Sequence, residues 1–236
     1  MTVKQTSLLK KVLRTLSSPL DRYRSFSRLT EFHSRSRSLH EVVDWALNFR
    51  GGGGLYRVKT LQKRSEIYGL AKMVQDIAPK TILEIGTERG GTLLIWSAIA
   101  SERVISCDIQ EMEVQQKLFS QFPPPSSQCQ VDLLSGDSHS EVFFDSVKTA
   151  LGGAEVDFLF IDGDHSEKGV ELDFHMYRRL VRPGGLIAFH DILENQPVES
   201  NQVFEFWKNI KDTYQFFELV DAEDQCGYGI GVIVNE

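Results

Sequence analysis

The stretch Thr81-Ile82-Leu83-Glu84-Ile85-Gly86-Thr87-Glu88-Arg89-Gly90-Gly91-Thr92 decides the fold. Residues 81–85 form a short apolar run with β-branched side chains, which is typical of a strand that is buried on both faces. Gly86, Gly90 and Gly91 break this strand, and a helical pattern starts at Thr92. A strand followed by a glycine turn and a helix start leaves backbone N–H groups free to bind a ligand.

An acidic residue, Asp108, ends the next predicted strand. An acid at this place usually binds the hydroxyl groups of a ribose. The glycine spacing differs from the dinucleotide pattern G-x-G-x-x-G, because Glu88 occupies the place of its second glycine. A carboxylate there would repel a pyrophosphate, which disfavours NAD and FAD. The sulfonium cofactor S-adenosylmethionine carries ribose and adenine without phosphate and fits better; a turn without any ligand is the alternative interpretation.

Seven apolar segments are predicted to be strands, and helical patterns separate most of them. This alternation predicts an α/β fold with a Rossmann-like, doubly wound and mostly parallel sheet. The last two strands follow each other closely through Gly227, which predicts an antiparallel hairpin at the sheet edge. The predicted strands are residues 80–86, 103–108, 129–134, 155–162, 185–190, 216–220 and 228–234.

Length and composition predict one domain with a small appendage. The chain has 236 residues, of which 41% are hydrophobic, and this is enough for a full core. Three widely spaced cysteines form no metal or redox motif, so reduced thiols and a cytoplasmic location are expected. Residues 1–64 hold 14 Lys/Arg and 4 Asp/Glu, whereas the remainder holds 12 and 29. A domain as acidic as residues 65–236 is a poor partner for nucleic acid.

The basic segment of residues 1–61 is predicted to be a helical appendage to a domain of residues 62–236. Residues 7–16 place apolar side chains on one helical stripe, and Pro19 ends this pattern. The segment could pack on its own domain, lie on a membrane surface or act as a targeting peptide. Ser38 and Glu41 predict a capping box. The four glycines at residues 51–54 predict either a hinge, which lets residues 1–50 close over the active site, or a flexible linker.

Two later stretches carry a family resemblance. They are Phe160-Ile161-Asp162-Gly163-Asp164-His165 and Pro183-Gly184-Gly185-Leu186-Ile187-Ala188-Phe189-His190-Asp191. Together with the glycine turn they resemble the class I S-adenosylmethionine-dependent methyltransferases. The similar branch contains the macrolide-sugar and rhamnosyl O-methyltransferases and the cephalosporin hydroxylase-like proteins. The resemblance covers residues 62–234. It implies that the cofactor is bound by Glu84, Gly86, Thr87, Gly90, Gly91, Asp108, Asp137, Ser138 and Asp162.

The same resemblance implies a catalytic cluster at the ends of the fourth and fifth strands. A hydroxyl group is a weak nucleophile at neutral pH, so its methylation needs a base, a metal ion or both. In the sugar-methylating relatives, acids at the positions of Asp162 and Asp191 bind the metal, and a histidine at the position of His165 is the general base. Here His190 stands where relatives have another acid. The predicted metal ligands are therefore Asp162, His190 and Asp191, with Mg²⁺ or the softer Mn²⁺ as the ion.

The sequence thus predicts a metal-assisted O-methyltransferase that acts on a hydroxylated small molecule. A sugar or glycoside is the expected acceptor, and a catechol-like phenol is the alternative because it uses the same metal chemistry. A non-catalytic binding module with a nucleotide fold is a second alternative, and an NAD-dependent oxidoreductase is disfavoured by Glu88. No apolar run is long enough to span a membrane, although the N-terminal helix could contact a membrane surface.

Overall fold

The computed structural model describes residues 19–236, so the predicted helix of residues 7–16 lies outside the described part of the chain. Helices of 4 to 11 residues alternate with strands through residues 81–219, as the sequence pattern predicts. The helices are α1 (Pro19–Phe32), α2 (Leu39–Leu47), α3 (Arg64–Asp76), α4 (Gly91–Ile99), α5 (Gln116–Phe119), α6 (Glu141–Leu151), α7 (Glu167–Tyr177) and α8 (Val203–Ile210). The strands are β1 (Thr81–Ile85), β2 (Arg103–Asp108), β3 (Gln130–Ser135), β4 (Val156–Ile161), β5 (Val181–His190), β6 (Phe216–Leu219) and β7 (Ile230–Val234).

The seven strands form one sheet in the order β3-β2-β1-β4-β5-β7-β6. The first five are parallel, and β7 is antiparallel to both of its neighbours. The strand order reverses between β1 and β4, which makes this a doubly wound sheet. The predicted fold class is confirmed, including the antiparallel strands at one edge.

Successive side chains on β1 point to opposite faces of the sheet, and each face has its own part of the core. Ile82 belongs to the apolar cluster under α1–α4, whereas Leu83 and Ile85 belong to the cluster under α6, α7 and α8. This alternation follows from the two-residue period of a strand. Each face of the sheet therefore has its own covering of helices. No helix in residues 19–236 is long and apolar enough to cross a membrane.

The N-terminal helices share the core of the domain. Phe32, Val43 and Phe49 are buried in the same apolar cluster as Leu70 of α3 and Trp96 of α4. The predicted capping box at Ser38 and Glu41 is present at the start of α2. A division of the chain at residue 61 stays a prediction, but a deletion of residues 1–50 would remove side chains from the core as well as the segment predicted to act as a lid.

Two glycines of the segment 51–54, Gly52 and Gly53, are hydrogen-bonded to α1, which argues against the predicted flexible linker. The Gly52 N–H donates to Ser25 Oγ at 2.7 Å, and the Gly53 N–H donates to Asp21 Oδ1 at 2.8 Å. A Cβ atom on Gly52 would lie 2.0 Å from the Asp21 carbonyl oxygen. Glycine is needed here because the chain passes directly against α1. The helix α1 itself is absent from the prediction, since its sequence is rich in Ser and Arg and carries only a weak apolar stripe.

Candidate active site

The predicted ligand residues converge on one cavity of about 780 Å³ at the carboxyl ends of the parallel strands. Residues that the sequence predicts and that line this cavity are Gly86, Thr87, Asp108, Asp137, Ser138, Asp162, His165, His190 and Asp191. Three others, Glu84, Gly90 and Gly91, lie outside its lining. None of residues 19–58 lines the cavity, so the described part of the predicted lid does not cover it.

Glu84 lies in the core under α4. It is fully buried and accepts hydrogen bonds from Trp96 Nε1, at 2.9 Å, and from Ser106 Oγ. Because strand side chains alternate, Glu84 shares the face of Ile82, which α4 covers, and not the edge where the cavity opens. The hydrogen bonds of Glu84 thus join β1 to β2 and α4. Its contact with the cofactor stays a prediction.

Burial makes the Glu84 carboxyl a source of pH-dependent stability. Loss of solvation raises its pKa to about 7, although its hydrogen bonds with Ser106, Thr92 and Trp96 act in the opposite direction. Its stabilising effect is complete below pH 4.5, where the folded and unfolded states are both protonated. As the pH rises to about 7 the unfolded chain ionises first, and stability falls by about 3 kcal/mol.

Glu84→Gln is expected to abolish this part of the pH dependence, because glutamine keeps the shape and cannot ionise. Urea unfolding of both proteins at pH values from 4.5 to 7.5 measures the effect. The difference in unfolding free energy between wild type and variant should shift by about 3 kcal/mol in favour of the variant across this range. A constant difference would show that Glu84 ionises alike in the folded and unfolded states.

The glycines of the turn lie so close to other parts of the chain that a side chain would not fit. Gly86 has φ +106°, and a Cβ atom on it would lie 2.0 Å from the Asp162 carbonyl oxygen. A Cβ atom on Gly90 would lie 2.8 Å from the Phe119 ring, and one on Gly91 would lie 2.5 Å from the backbone of Lys59 and Thr60. Gly90 and Gly91 are thus needed for packing and lie outside the cavity lining, and their contact with the cofactor stays a prediction.

The segment that crosses Gly91 is a part of the cavity wall that the sequence did not reveal. We call residues 57–62 the strap. Lys59 pairs with Gly90 in an isolated parallel bridge, and residues 59–62 all line the cavity. Gln62, which is 8% exposed, donates from Nε2 to Asp162 Oδ2 at 3.0 Å. A strap residue thus orients an acid of the predicted catalytic cluster.

At the end of β2, Asp108 organises the loops around it. Its Oδ2 accepts the Glu88 N–H at 2.7 Å, and its Oδ1 accepts the Gln110 N–H at 2.8 Å. Glu88 has φ +44° and also lines the cavity. Glu88, which stands in place of the second glycine of the dinucleotide pattern, therefore lies at the cavity. There its carboxylate would repel a pyrophosphate, whereas it would not repel a sulfonium cofactor.

The loop after β3 forms the neighbouring wall. Asp137 Oδ1 accepts the His139 N–H at 2.9 Å, and the Tyr177 hydroxyl donates to the Ser138 carbonyl at 2.9 Å. Beneath this loop the buried Asp173 carboxylate lies 3.4 Å from His139 Nε2, and burial raises its pKa to about 6. Asp137 and Ser138 thus line the cavity, where the resemblance implies that they bind the cofactor.

Asp162, His165 and Asp191 form a cluster with the chemistry of a metal site. One ligand atom from each lies within 4.8 Å of the other two. His165 Nε2 is 3.2 Å from Asp162 Oδ1, and His165 Nδ1 is 3.8 Å from Asp191 Oδ2. Adjacent ligands of an octahedral Mg²⁺ are about 3 Å apart, so these residues fit a divalent cation after small movements. Asp191 is held at φ +67° and accepts a hydrogen bond from Asn201 Nδ2 at 2.5 Å.

His190 lies behind this cluster and contacts both acids. Its Nδ1 is 3.3 Å from Asp162 Oδ1 and 3.1 Å from Asp191 Oδ1, and the side chain is 5% exposed. Its Nε2 has no hydrogen-bond partner among residues 19–236. The sequence predicts Asp162, His190 and Asp191 as metal ligands, whereas the three residues whose ligand atoms lie close together include His165 and not His190. Direct metal ligation by His190 stays a prediction.

Charges within the cluster shift the pKa values of its members. Burial alone would raise the pKa of the Asp162 carboxyl, but the His190 and His165 rings hold it well below its usual range. Burial alone would lower the pKa of His190, but the Asp162 and Asp191 carboxylates raise it to about 10. The pKa of His165 is also raised, chiefly by its hydrogen bond with Asp162. The cluster therefore holds Asp162 ionised.

Comparison with known sequences finds similarity in the central part of the chain. Residues 83–192 match a family described as a methyltransferase domain. The uncharacterized protein R132 of Acanthamoeba polyphaga mimivirus is 34% identical over 116 residues, which are 47% of this chain and 51% of that protein. The chain thus spans about half the length of this curated relative.

Comparison with solved structures shows a shared fold. The O-methyltransferase TomG from Streptomyces achromogenes, which is involved in tomaymycin synthesis and was solved with S-adenosylmethionine, has a TM-score of 0.58 at 15% identity. The match covers 93% of this chain and all of TomG. The MycE methyltransferase of the mycinamycin pathway, solved with Mg and S-adenosylhomocysteine, has a TM-score of 0.55 at 18% identity, over 85% of this chain and 55% of MycE.

Proposed function

We propose that this chain, whose residues 83–192 match a methyltransferase domain and whose fold is shared with solved O-methyltransferases, is an S-adenosylmethionine-dependent O-methyltransferase. The observation that supports this most strongly is the joining, in one cavity, of the Asp108 loop and the cluster of Asp162, His165 and Asp191. A nucleoside site next to a site for activating a hydroxyl group is what such a reaction requires.

The residues of the cavity divide the work by position. S-adenosylmethionine supplies an electrophilic methyl group on a sulfonium ion. Asp108 would hold the ribose hydroxyls, and the Gly86 turn, which lines the cavity beside Asp162, would lie against the cofactor. The acceptor oxygen forms its bond to the methyl carbon as the carbon–sulfur bond breaks, and the bonding pair stays on sulfur. His165 would receive the hydroxyl proton on a ring nitrogen, and Asp162 Oδ1 stabilises the resulting charge at 3.2 Å.

Metal assistance is part of the proposal. Asp162, Asp191 and a histidine nitrogen would hold a Mg²⁺ or Mn²⁺ ion, which when bound lowers the pKa of a coordinated hydroxyl. Gln62 and Asn201 fix one oxygen of each acid by hydrogen bonds. The presence of Mg in the MycE structure supports this proposal without extending it to the acceptor.

We propose a hydroxylated small molecule as the acceptor, with a sugar or glycoside first and a catechol-like phenol as the alternative. Both classes can present two neighbouring oxygens to one cation. The cavity volume of about 780 Å³ supports an acceptor of modest size, because it must also hold the cofactor.

Asp108→Ala tests the cofactor site and is expected to weaken S-adenosylmethionine binding by about 1–3 kcal/mol. The ribose hydroxyls would lose their charged acceptor, and the Glu88 and Gln110 N–H groups would lose theirs. Calorimetry of wild type and variant with S-adenosylmethionine and with NAD, side by side, measures this. An unchanged affinity would remove Asp108 from the site, and preferential binding of NAD by the wild type would reject the proposed function.

A further inference from the structure

Tyr228 has a backbone conformation that usually requires glycine. Its φ is +61°, and it stands between Gly227 at +72° and Gly229 at +81°. For a bulky residue such a φ is a genuine outlier, because the Cβ atom crowds the neighbouring carbonyl. Glycine satisfies the same conformation at the two flanking positions, so the tyrosine at the middle position needs an explanation in its side chain.

The surrounding structure holds this strained residue on both sides. Gln196 accepts the Tyr228 N–H at 2.9 Å and donates to the Tyr228 carbonyl at 3.3 Å. The Leu193 N–H donates to the same carbonyl at 3.0 Å, and the next N–H, that of Gly229, donates to the buried Glu66 at 3.1 Å. Strain of this kind persists where the structure over-determines it, and it is concentrated at binding and catalytic sites.

The Tyr228 side chain lines the cavity beside the catalytic cluster. Its ring centroid is 6.1 Å from that of His190, at an interplanar angle of 65°. Lys63 Nζ lies 5.6 Å from the ring centroid. In the sheet order, four strand spacings separate β2, which ends at Asp108, from β7, which follows Tyr228. This is roughly 19 Å, so Tyr228 belongs to the end of the cavity remote from the ribose site.

The cavity that Tyr228 lines also has exposed apolar side chains. Leu61 and Val198 line the same cavity and are 55% and 60% exposed. The neighbouring amide groups are already used: Gln196 binds the Tyr228 backbone, and Asn201 binds Asp191 and the Val203 N–H. The exposed apolar side chains therefore offer contact area to a flat apolar surface, whereas these two amides are already engaged.

We propose that Tyr228 is the platform on which the ring of the methyl acceptor lies while its hydroxyl group faces Asp162 and Asp191. This inference rests on the proposed function and assigns the acceptor class as a ring with an apolar face. Two sources supply that chemistry: the aromatic face of a phenol, and the C–H face of a sugar ring.

Probe binding to enzyme saturated with S-adenosylhomocysteine and Mg²⁺ tests the platform. Calorimetry would use 4-nitrocatechol as the aromatic probe and methyl α-rhamnopyranoside as the sugar probe. Tyr228→Leu should raise the Kd of the bound probe at least tenfold and leave the Kd of S-adenosylmethionine within twofold. Tyr228→Phe should keep the probe Kd within threefold. The probe that binds the wild type identifies the source of the ring.

Tyr228→Gly separates a ligand role from a packing role, and Ala78→Gly is its control. Ala78 has φ +48°, is exposed and lies outside the cavity. Both variants should melt at or above the wild-type temperature, because glycine removes the strain, and only Tyr228→Gly should lose probe binding. The proposal is overturned if Tyr228→Gly melts several degrees below the wild type, or if the wild type binds neither probe. It is also overturned if Tyr228→Leu binds the probe as tightly as the wild type does, or if Tyr228→Phe binds it as weakly as Tyr228→Leu. If the wild-type protein does not bind S-adenosylmethionine, the proposed function itself is rejected.

Discussion

Replacing His165 with alanine is expected to lower kcat by about 10²–10⁴-fold while the protein still binds its cofactor and metal. His165 is the one histidine of the cluster that is substantially exposed to the cavity, with 42% of its side chain accessible. Its hydrogen bond with Asp162 would orient the ring and stabilise the proton that it receives. Turnover of an identified acceptor measures kcat, and calorimetry measures the affinities for S-adenosylmethionine and Mn²⁺.

The structure also gives His165 a place in the ligand group, and the same variant separates the two roles. A loss of metal affinity that parallels the loss of rate would make His165 a ligand and not the base. Normal turnover would place the base elsewhere, and His190 is then the next candidate. His175→Ala is the matched control, because this histidine is exposed on α7 and lies outside the cavity.

Asp191→Ala is expected to abolish turnover and tight metal binding together. Loss of an outer hydrogen-bonding partner of a metal site costs 10- to 100-fold in affinity, so loss of a ligand should cost more than about 10²-fold. The substitution also leaves the buried His190 with Asp162 as its remaining acid partner. Asp145→Ala is the control, since this acid is exposed on α6 and pairs with Lys148.

Chelation provides an independent measurement of the same metal. Dialysis against a chelator should silence the wild-type enzyme, and Mg²⁺ or Mn²⁺ should restore it. Turnover that survives exhaustive chelation would contradict the metal. In that case Asp162 and Asp191 would bind the acceptor by hydrogen bonds alone.

Local patterns were sufficient to predict the sheet. The β2 strand spans Arg103–Asp108, as predicted, because no glycine or proline interrupts the residues between these two charged ends. The β5 strand begins at Val181, four residues before the predicted start, because Pro183 and Gly184 look like a turn in sequence but here extend the strand. Strand ends also predicted which acids meet, since the carboxyl ends of parallel strands share one edge.

Long-range contacts explain what the sequence did not reveal. Gly91 is required by the strap, which lies about 30 residues away in the chain, so its spacing looked like part of a ligand motif. Glu84 lies within the apolar run of residues 81–85, and the family resemblance implied that it binds the cofactor, but the direction of its side chain is set by strand alternation and by its hydrogen bond with Trp96. Tyr228 carried no signal, because backbone strain is invisible in a sequence and the flanking glycines indicated only a turn.

The position of β7 has a consequence for how the chain reaches its folded state. This strand follows β6 in the chain but lies between β5 and β6 in the sheet. Until β7 docks, the whole edge of β5 from Leu186 to His190 is unpaired, and β6 has no strand to join. An unpaired, apolar edge is a template for pairing with another molecule. Substitutions that weaken β7, such as those at Val232, are therefore expected to appear as aggregation during folding before they appear as lost equilibrium stability.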